Sequence, residues 1–501
     1  MTEQLRIIFA ASEVEGFSKS GGLADAARAL PLHLKWLGHD VRIVTPFYRS
    51  IPENHKTKTV IPSLGIPLGS EESWCAIRYQ EMEGTVEGET IRVPVYFVEH
   101  EHYFFRRGYY DDGLHEYPDN ATRFGFFSKV VLQLSRTLEW TPDVFHSNDW
   151  HTALVPFYLR EAQQETADFK KCGSVLTIHN AAYQGNAPAT FRNSLGISPE
   201  NFVEELFEDH GQLNLLKGGI HFADQVNTVS PGYAEELKTP LGSHGLHEVY
   251  RRKGQDFSGI LNGCDYDDWN PESDSHLPAR FSVADLTGKK QCKKELQKIF
   301  DLPELPEVPV IGMVSRLTRQ KGFVYLLPAL PQILRLKVQL VVLGSGELWI
   351  ANSFDQLKQE FSNKLGWQNG YDNNLAHLIE AGSDLFLMPS LYEPCGLSQM
   401  HSLCYGTLPI VRSVGGLKDT VIQNGENQEE GNGFIFDEPD SDAVSDAVGL
   451  AVSIFYNHPQ NFRKMIDRAM KQRFTWKTAA EKYVTLYRKT LKLKRKNAKK
   501  K

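Results

Sequence analysis

Glu393 stands three residues after the apolar run LFLMPS (385–390), just before a helix-like segment that begins at Gly396 and Leu397. A carboxylate between the end of a buried strand and the start of a helix either holds the turn together or does chemistry. Positive charge lies upstream. In VSRLTRQKGF (314–323), Arg316 and Lys321 follow another apolar run. A guanidinium fork and a compact ammonium at a strand end suit a pyrophosphate. Backbone N–H groups of Gly396 and Leu397 at a helix start would suit a phosphate or a sugar oxygen as well.

The first half carries a second set. EVEGFSKSGGLAD (13–25) places Lys19 just before Gly21, Gly22 and a helix-like stretch. The spacing matches neither a dinucleotide fingerprint nor a Walker loop. Glycines that admit a ligand, a helix N-terminus and a lysine would still welcome an anion, although such a sequence also serves simply as a turn. HSNDWHTALVP (146–156) groups two histidines, Asp149 and Trp150. His146 and His151 lack metal-ligand spacing, whereas polar groups beside an indole suit a sugar; a capped helix start is the structural alternative. TIHNAAYQG (177–185) repeats the mixture with His179, Asn180 and Tyr183. Three strand ends of one polar character point to a cleft.

The elements that must position these residues alternate along the whole chain. LRIIFAAS, VRIVTP, VFHSN, SVLTIHN and QVNTVS are short apolar runs with polar ends, as parallel strands covered on both faces should be. After about residue 255 the series restarts with VPVIGMVSRL, QLVVLGSG, DLFLMPS and LPIVRS. The expectation is an α/β protein of two Rossmann-like, doubly wound domains, 1–255 and 256–475, whose ligands bind beyond the carboxyl ends of the strands. An amphipathic helix (476–491) and a disordered basic tail (492–501) follow.

Bulk properties narrow the class. The net charge is −7, yet the last fourteen residues carry nine Lys or Arg and no acid, so the body is distinctly acidic. That argues against nucleic acid as a partner. Six scattered cysteines without a CxxC pair fit a reducing compartment and no zinc site. With no signal-like start and no apolar run of membrane-spanning length, the expected location is the cytoplasm.

KSGGLAD, HSNDWH, TIHNAAYQG, NTVSPGYAEEL, GILNGCDYDDWNP, SRLTRQKG, EPCGL and YGTLPIVRSVGGLKDTV occur in the order found in bacterial glycogen synthases and plant starch synthases. The chain resembles that family from about residue 5 to 490. The resemblance implies a GT-B fold, two Rossmann-like domains facing across a cleft, with the first on the acceptor side and the second on the donor side. It implies transfer of glucose from ADP-glucose to the non-reducing end of an α-1,4-glucan (glycogen or a maltooligosaccharide), with retention, no metal and no cofactor. Carried over position by position, Lys19, Gly22 and Asp25 lie by the donor site, and Asp149, His179 and Asn180 contact or flank the donor glucose. Asn262 sits near the cleft, Arg316 and Lys321 hold the diphosphate, and Tyr371 packs near the nucleotide. Glu393, Cys395, Gly396 and Leu397 surround the reacting sugar, and the last helix returns to the first domain.

Three positions depart from the family pattern: Ser20 replaces a threonine, Gly16 replaces a proline, and His401 stands where many related transferases have a second glutamate. The ribose contact of that glutamate is therefore not carried over. Glu393 could stabilise developing positive charge, orient the sugar, or form a covalent intermediate. The rival readings are a sucrose-synthase-like transferase with another donor or a small acceptor, and a non-catalytic glucan-binding protein.

Overall fold

The computed structural model describes residues 3–51, 55–423 and 430–498. The chain divides into two compact units. Unit 1 holds the chain up to Val229, Ala234–Asn262 and everything from Trp476 on; unit 2 holds Ser230–Tyr233 and Gly263–Thr475. The division after Asn262 falls seven residues later than the expected 255, because Phe257–Gly259 still pairs as an edge strand of the first sheet.

Unit 1 is built on β1 (Arg6–Ala10), β2 (Asp40–Pro46), β3 (Lys58–Leu68), β4 (Glu71–Val86), β5 (Glu89–Glu99), β6 (Val144–Asn148) and β7 (Gly173–Ile178). Three short strands, β8 (Asn186–Pro188), β9 (Glu208–Asp209) and β10 (Gln212–Asn214), form a separate small sheet. With β11 (Gln225–Thr228) and β12 (Phe257–Gly259), the main sheet runs β12-β11-β7-β6-β1-β2-β5-β4-β3. Neighbours are parallel from β12 to β5, while β4 and β3 pair antiparallel at the edge. β6 and β7 are buried at every residue, so both faces are covered.

One cover is the last helix, Trp476–Ala498. It continues through Ala498, so the expected tail is helical for most of its length. Lys494 shows why: its ammonium is drawn in 2.9 Å from Asp224 Oδ1 rather than left in water. The helix lies so close to β7 that a Cβ on Gly173 would come within 2.5 Å of Thr490 Cγ2. Beneath it runs a buried polar chain. Asn227 Nδ2 donates to Tyr483 at 3.0 Å, and Thr177 Oγ1 donates to Asn227 Oδ1 at 2.7 Å. Thr177 therefore accepts from His146 Nε2 at 2.6 Å, leaving His146 Nδ1 to accept from Tyr487 at 2.7 Å.

Unit 2 is a single parallel sheet, β15-β14-β13-β16-β17-β18. Its strands are β13 (Val310–Val314), β14 (Gln339–Gly344), β15 (Leu365–Asn369), β16 (Leu385–Met388), β17 (Leu408–Arg412) and β18 (Phe434–Phe436). Val310, Ile311, Leu340, Val341, Leu385, Phe386, Leu408 and Ile410 form its core with the covering helices. Each strand delivers its next residues to the same carboxyl edge, and the charged groups are found there.

Candidate active site

In unit 2, the segment after β13 carries Arg316 and then a short 3-10 turn, Arg319–Lys321, that stops at Gly322. Gly322 has φ +80°, and a Cβ there would overlap the carbonyl oxygen of Pro389, so the segment is locked against the loop that follows β16. The same loop is tied by Leu391 N to Gln320 O at 2.8 Å and by Arg412 Nη1 to Leu391 O at 2.7 Å. The result brings Lys321 Nζ to 2.5 Å from Glu393 Oε2, which also accepts from Ser390 Oγ at 2.9 Å. Glu393 is only 7 % exposed.

Arg316, Lys321, Ser390 and Ser398 line a cavity of about 170 Å³ above the ends of β13 and β16. With Ser315, two cations and three serines thus line a space sized for a small anionic or polyhydroxylated group, and the Glu393 carboxylate lies against it through Lys321. The helix expected from Gly396 begins instead at Ser398 and is only seven residues long. Gly396 adopts φ +71°, and Gln399 Nε2 turns back to donate to the carbonyls of Cys395 and Gly396 at 3.0 and 2.9 Å. Cys395, Gly396 and Leu397 form the approach to that helix and not its first turn. Tyr371 lies just past β15 and is 67 % exposed, its hydroxyl donating to Asn373 Oδ1 at 3.0 Å.

In unit 1, Asp149 follows β6 with φ +55°, a conformation that carries roughly 1–3 kcal/mol of strain for a residue with a side chain. The strain aims its carboxylate at the end of β7, where Oδ1 accepts from His179 N at 2.6 Å and Asn180 N at 3.3 Å. Burial pushes Asp149 up to about 7, against those two amide hydrogen bonds and with a further push from Glu13. His179 Nε2 donates to Asn148 Oδ1 at 2.9 Å, since the Asn148 amide NH₂ is spent on Ala10 O at 3.0 Å. Burial lowers His179 to about 3, so the ring is neutral and its Nδ1 is an acceptor. Asp149, His179 and Asn180 are therefore one hydrogen-bonded group.

Lys19 and Asp25 form a half-exposed pair, Nζ to Oδ1 at 2.5 Å, at either end of the turn that starts the helix Gly22–Trp36. A Cβ on Gly21 or Gly22 would meet no atom within 4 Å, so neither glycine is demanded by the protein's own packing. The turn is held by Glu13, a buried acid that the sequence reading passed over. It accepts from Ser20 Oγ at 2.6 Å, from the Ser20 amide, and from Tyr110 at 2.5 Å. Its signal was its place, three residues past β1, the position type that singled out Glu393. Asn262 is buried beyond the ends of β11 and β12, its backbone N–H donating to Val229 O at 3.2 Å and its side-chain Oδ1 without a hydrogen bond. His146, by contrast, belongs to the polar chain under the last helix, and His151 stacks among Tyr110, Phe124 and Trp150.

Comparison with known proteins follows the same two-part division. Residues 6–252 match the family model described as the starch synthase catalytic domain, and residues 295–471 match glycosyl transferases group 1. Glycogen synthase 1 of Geobacter sulfurreducens is 45% identical over 486 residues, covering 97% of this chain and 96% of that protein. Glycogen synthase of Aeromonas hydrophila is 44% identical over 489 residues, covering 97% and 98%. Among solved structures, the catalytic domain of starch synthase IV from Arabidopsis thaliana, bound to ADP and acarbose, is 31% identical with a TM-score of 0.87, covering 98% of this chain and 100% of that one. Its likeness establishes the GT-B fold. A sucrose-phosphate synthase from Thermosynechococcus elongatus, 17% identical with a TM-score of 0.57, shares the fold alone.

Proposed function

The chain belongs to the family of glycogen synthases and starch synthases, retaining glycosyltransferases, and from that premise we propose that it transfers glucose from ADP-glucose to the non-reducing end of an α-1,4-glucan. The observation that carries the reading is the Lys321–Glu393 pair beside Arg316 at the strand-end cavity of unit 2. The bond between the anomeric carbon and the phosphate oxygen breaks, and its electron pair leaves with ADP. The acceptor's 4-hydroxyl oxygen bonds to the same carbon, on the face the phosphate leaves, and its proton passes to a phosphate oxygen. Arg316 and Lys321 hold the growing negative charge. Lys321 exchanges Glu393 for the diphosphate when the donor arrives, and the released carboxylate faces the developing positive charge on the sugar.

Unit 1 supplies groups for sugar hydroxyls: the Asp149 carboxyl, the Nδ1 acceptor of neutral His179, and Asn180. Lys19, Gly22 and Asp25 form the second anion-tolerant turn, and Asn262 offers its bare carbonyl oxygen. Tyr371, exposed beyond β15, serves as a surface for the nucleotide, and Cys395, Gly396 and Leu397 bring backbone against the sugar. The ADP-bound starch synthase IV supports an adenine nucleotide as the leaving group. Six buried cysteines, none of them in a disulfide, support a cytoplasmic location, and no described helix is long and apolar enough to cross a membrane.

The test is glucan growth on glycogen from ADP-glucose and, in parallel, UDP-glucose, each with EDTA. Growth from ADP-glucose at the higher rate is expected. Faster transfer from UDP-glucose would reassign the donor, and failure with both by folded protein that still binds glycogen would favour the glucan-binding reading.

A further inference from the structure

Away from the strand-end cavity, unit 2 brings Asp268, His276 and His377 together so that one ligating atom of each lies within 4.8 Å of the other two. His377 is fully buried on the helix Asn373–Gly382, and its Nε2 makes no hydrogen bond. Its other nitrogen is 2.8 Å from Asp274 Oδ2, which also accepts from Tyr405 at 2.5 Å. A carboxylate that can only accept fixes a proton on Nδ1, which leaves Nε2, on the side of Asp268, as the atom whose lone pair a neutral ring offers to an ion. His276 is held alike, its Nδ1 2.5 Å from Asn374 Oδ1. Asp268 Oδ2 lies 3.9 Å from His377 Nε2 on a side chain that is 55% exposed.

We propose that Asp268, His276 and His377 form a binding site for a divalent transition-metal ion of the Zn²⁺ class, with a fourth position open to water. Two neutral imidazoles and a carboxylate are the donor set such an ion takes. Each imidazole has its Nδ1 within hydrogen-bond reach of a side-chain oxygen, so with Nε2 on the ion both rings gain the outer support that orients metal-bound histidines. Tetrahedral zinc with bonds near 2.0–2.1 Å needs ligand atoms about 3.3 Å apart. Closing from 3.9 Å therefore asks a shift of well under 1 Å from Asp268, the exposed partner. An ion here also gives a partner to His377 Nε2, a buried nitrogen without a hydrogen bond.

The ion ties the segment carrying Asp268 and His276 to the helix carrying His377. Trp269 lies in the same segment, stacked on His377 at 3.7 Å and, by its other face, on His401 at 3.9 Å. Its indole makes the site visible to fluorescence.

The experiment titrates chelator-treated protein with Zn²⁺ by isothermal calorimetry, alongside His276→Ala, Asp268→Asn and, as a control, His102→Ala at an exposed histidine elsewhere. The expected result is one saturable site of micromolar or tighter affinity, weakened at least tenfold in His276→Ala and severalfold in Asp268→Asn, unchanged in His102→Ala. Zn²⁺ should raise the melting temperature of the wild type and leave that of His276→Ala in place. Absence of saturable binding overturns the proposal, as does undiminished affinity in both Asp268→Asn and a folded His276→Ala.

Discussion

Replacing Glu393 with glutamine separates donor binding from turnover. The carboxylate is 7 % exposed and holds Lys321 Nζ at 2.5 Å, so before ADP can take that ammonium the ion pair must open. A hydrogen bond to a charged group is worth about 1.5–3 kcal/mol, and one between two opposite charges belongs at the upper end. Glutamine leaves Lys321 with a neutral acceptor, at the lower end of that range, so up to about 1.5 kcal/mol is freed and ADP should bind up to roughly tenfold tighter. Turnover moves the other way. Losing one preorganised charge beside the reacting carbon should lower kcat by about 10²–10³, or ~2.7–4 kcal/mol of barrier. Calorimetry with ADP and steady-state glucan growth from ADP-glucose read the two quantities independently. A folded glutamine variant with near-normal kcat, or one that binds ADP more weakly than wild type, would refute the exchange of Lys321 between carboxylate and diphosphate.

Three other substitutions test the surrounding structure. Asp149 is pushed up to about 7 by burial, so its folded state resists ionisation; the penalty begins above the ordinary 3.8 and is complete above 7. Asp149→Asn should therefore gain stability over wild type by on the order of 2 kcal/mol more at pH 8 than at pH 5, measured by urea unfolding at both; a pH-independent difference would contradict it. Gly322→Ala sets a Cβ against the Pro389 carbonyl at φ +80°, and should destabilise unit 2 by ~3 kcal/mol or more in thermal unfolding while leaving unit 1 unaffected. Tyr487→Phe removes the donor to buried His146 Nδ1, and a loss of about 1–3 kcal/mol in denaturant unfolding is expected; no change would mean the polar chain under the last helix is not coupled to stability.

The strands that carry the site were legible because full burial writes them as apolar runs ending in polar residues: VFHSN is β6 residue for residue, and LFLM is β16. The β3–β4 hairpin was not. Its strands expose alternate residues, carry Glu, Lys and two prolines, and so lack a continuous apolar signal. Phe434–Phe436 and Leu365–Asn369 are too short or too polar at one end to stand out. The charged residues of the site were legible singly, as types at strand ends. Their pairing was not, because Lys321 and Glu393 are 72 residues apart and Glu13 meets Tyr110 across 97. His146 shows the converse: it stands three residues before Asp149 in sequence, while in space it faces a helix that arrives 341 residues later.

That late helix bears on how the protein is made. β6 and β7 are synthesised early, but Tyr483, Tyr487 and Thr490, which cover them, come last. All of Gly263–Thr475, a self-contained unit, leaves the ribosome in between. At about 5–20 residues per second, the apolar surface of β6 and β7 waits roughly ten seconds or more without its lid, while unit 2 has its whole sequence available. Released chains ending at residue 475 should then show a protease-sensitive unit 1 beside a resistant unit 2. Equal resistance in both would mean that unit 1 closes without its last helix.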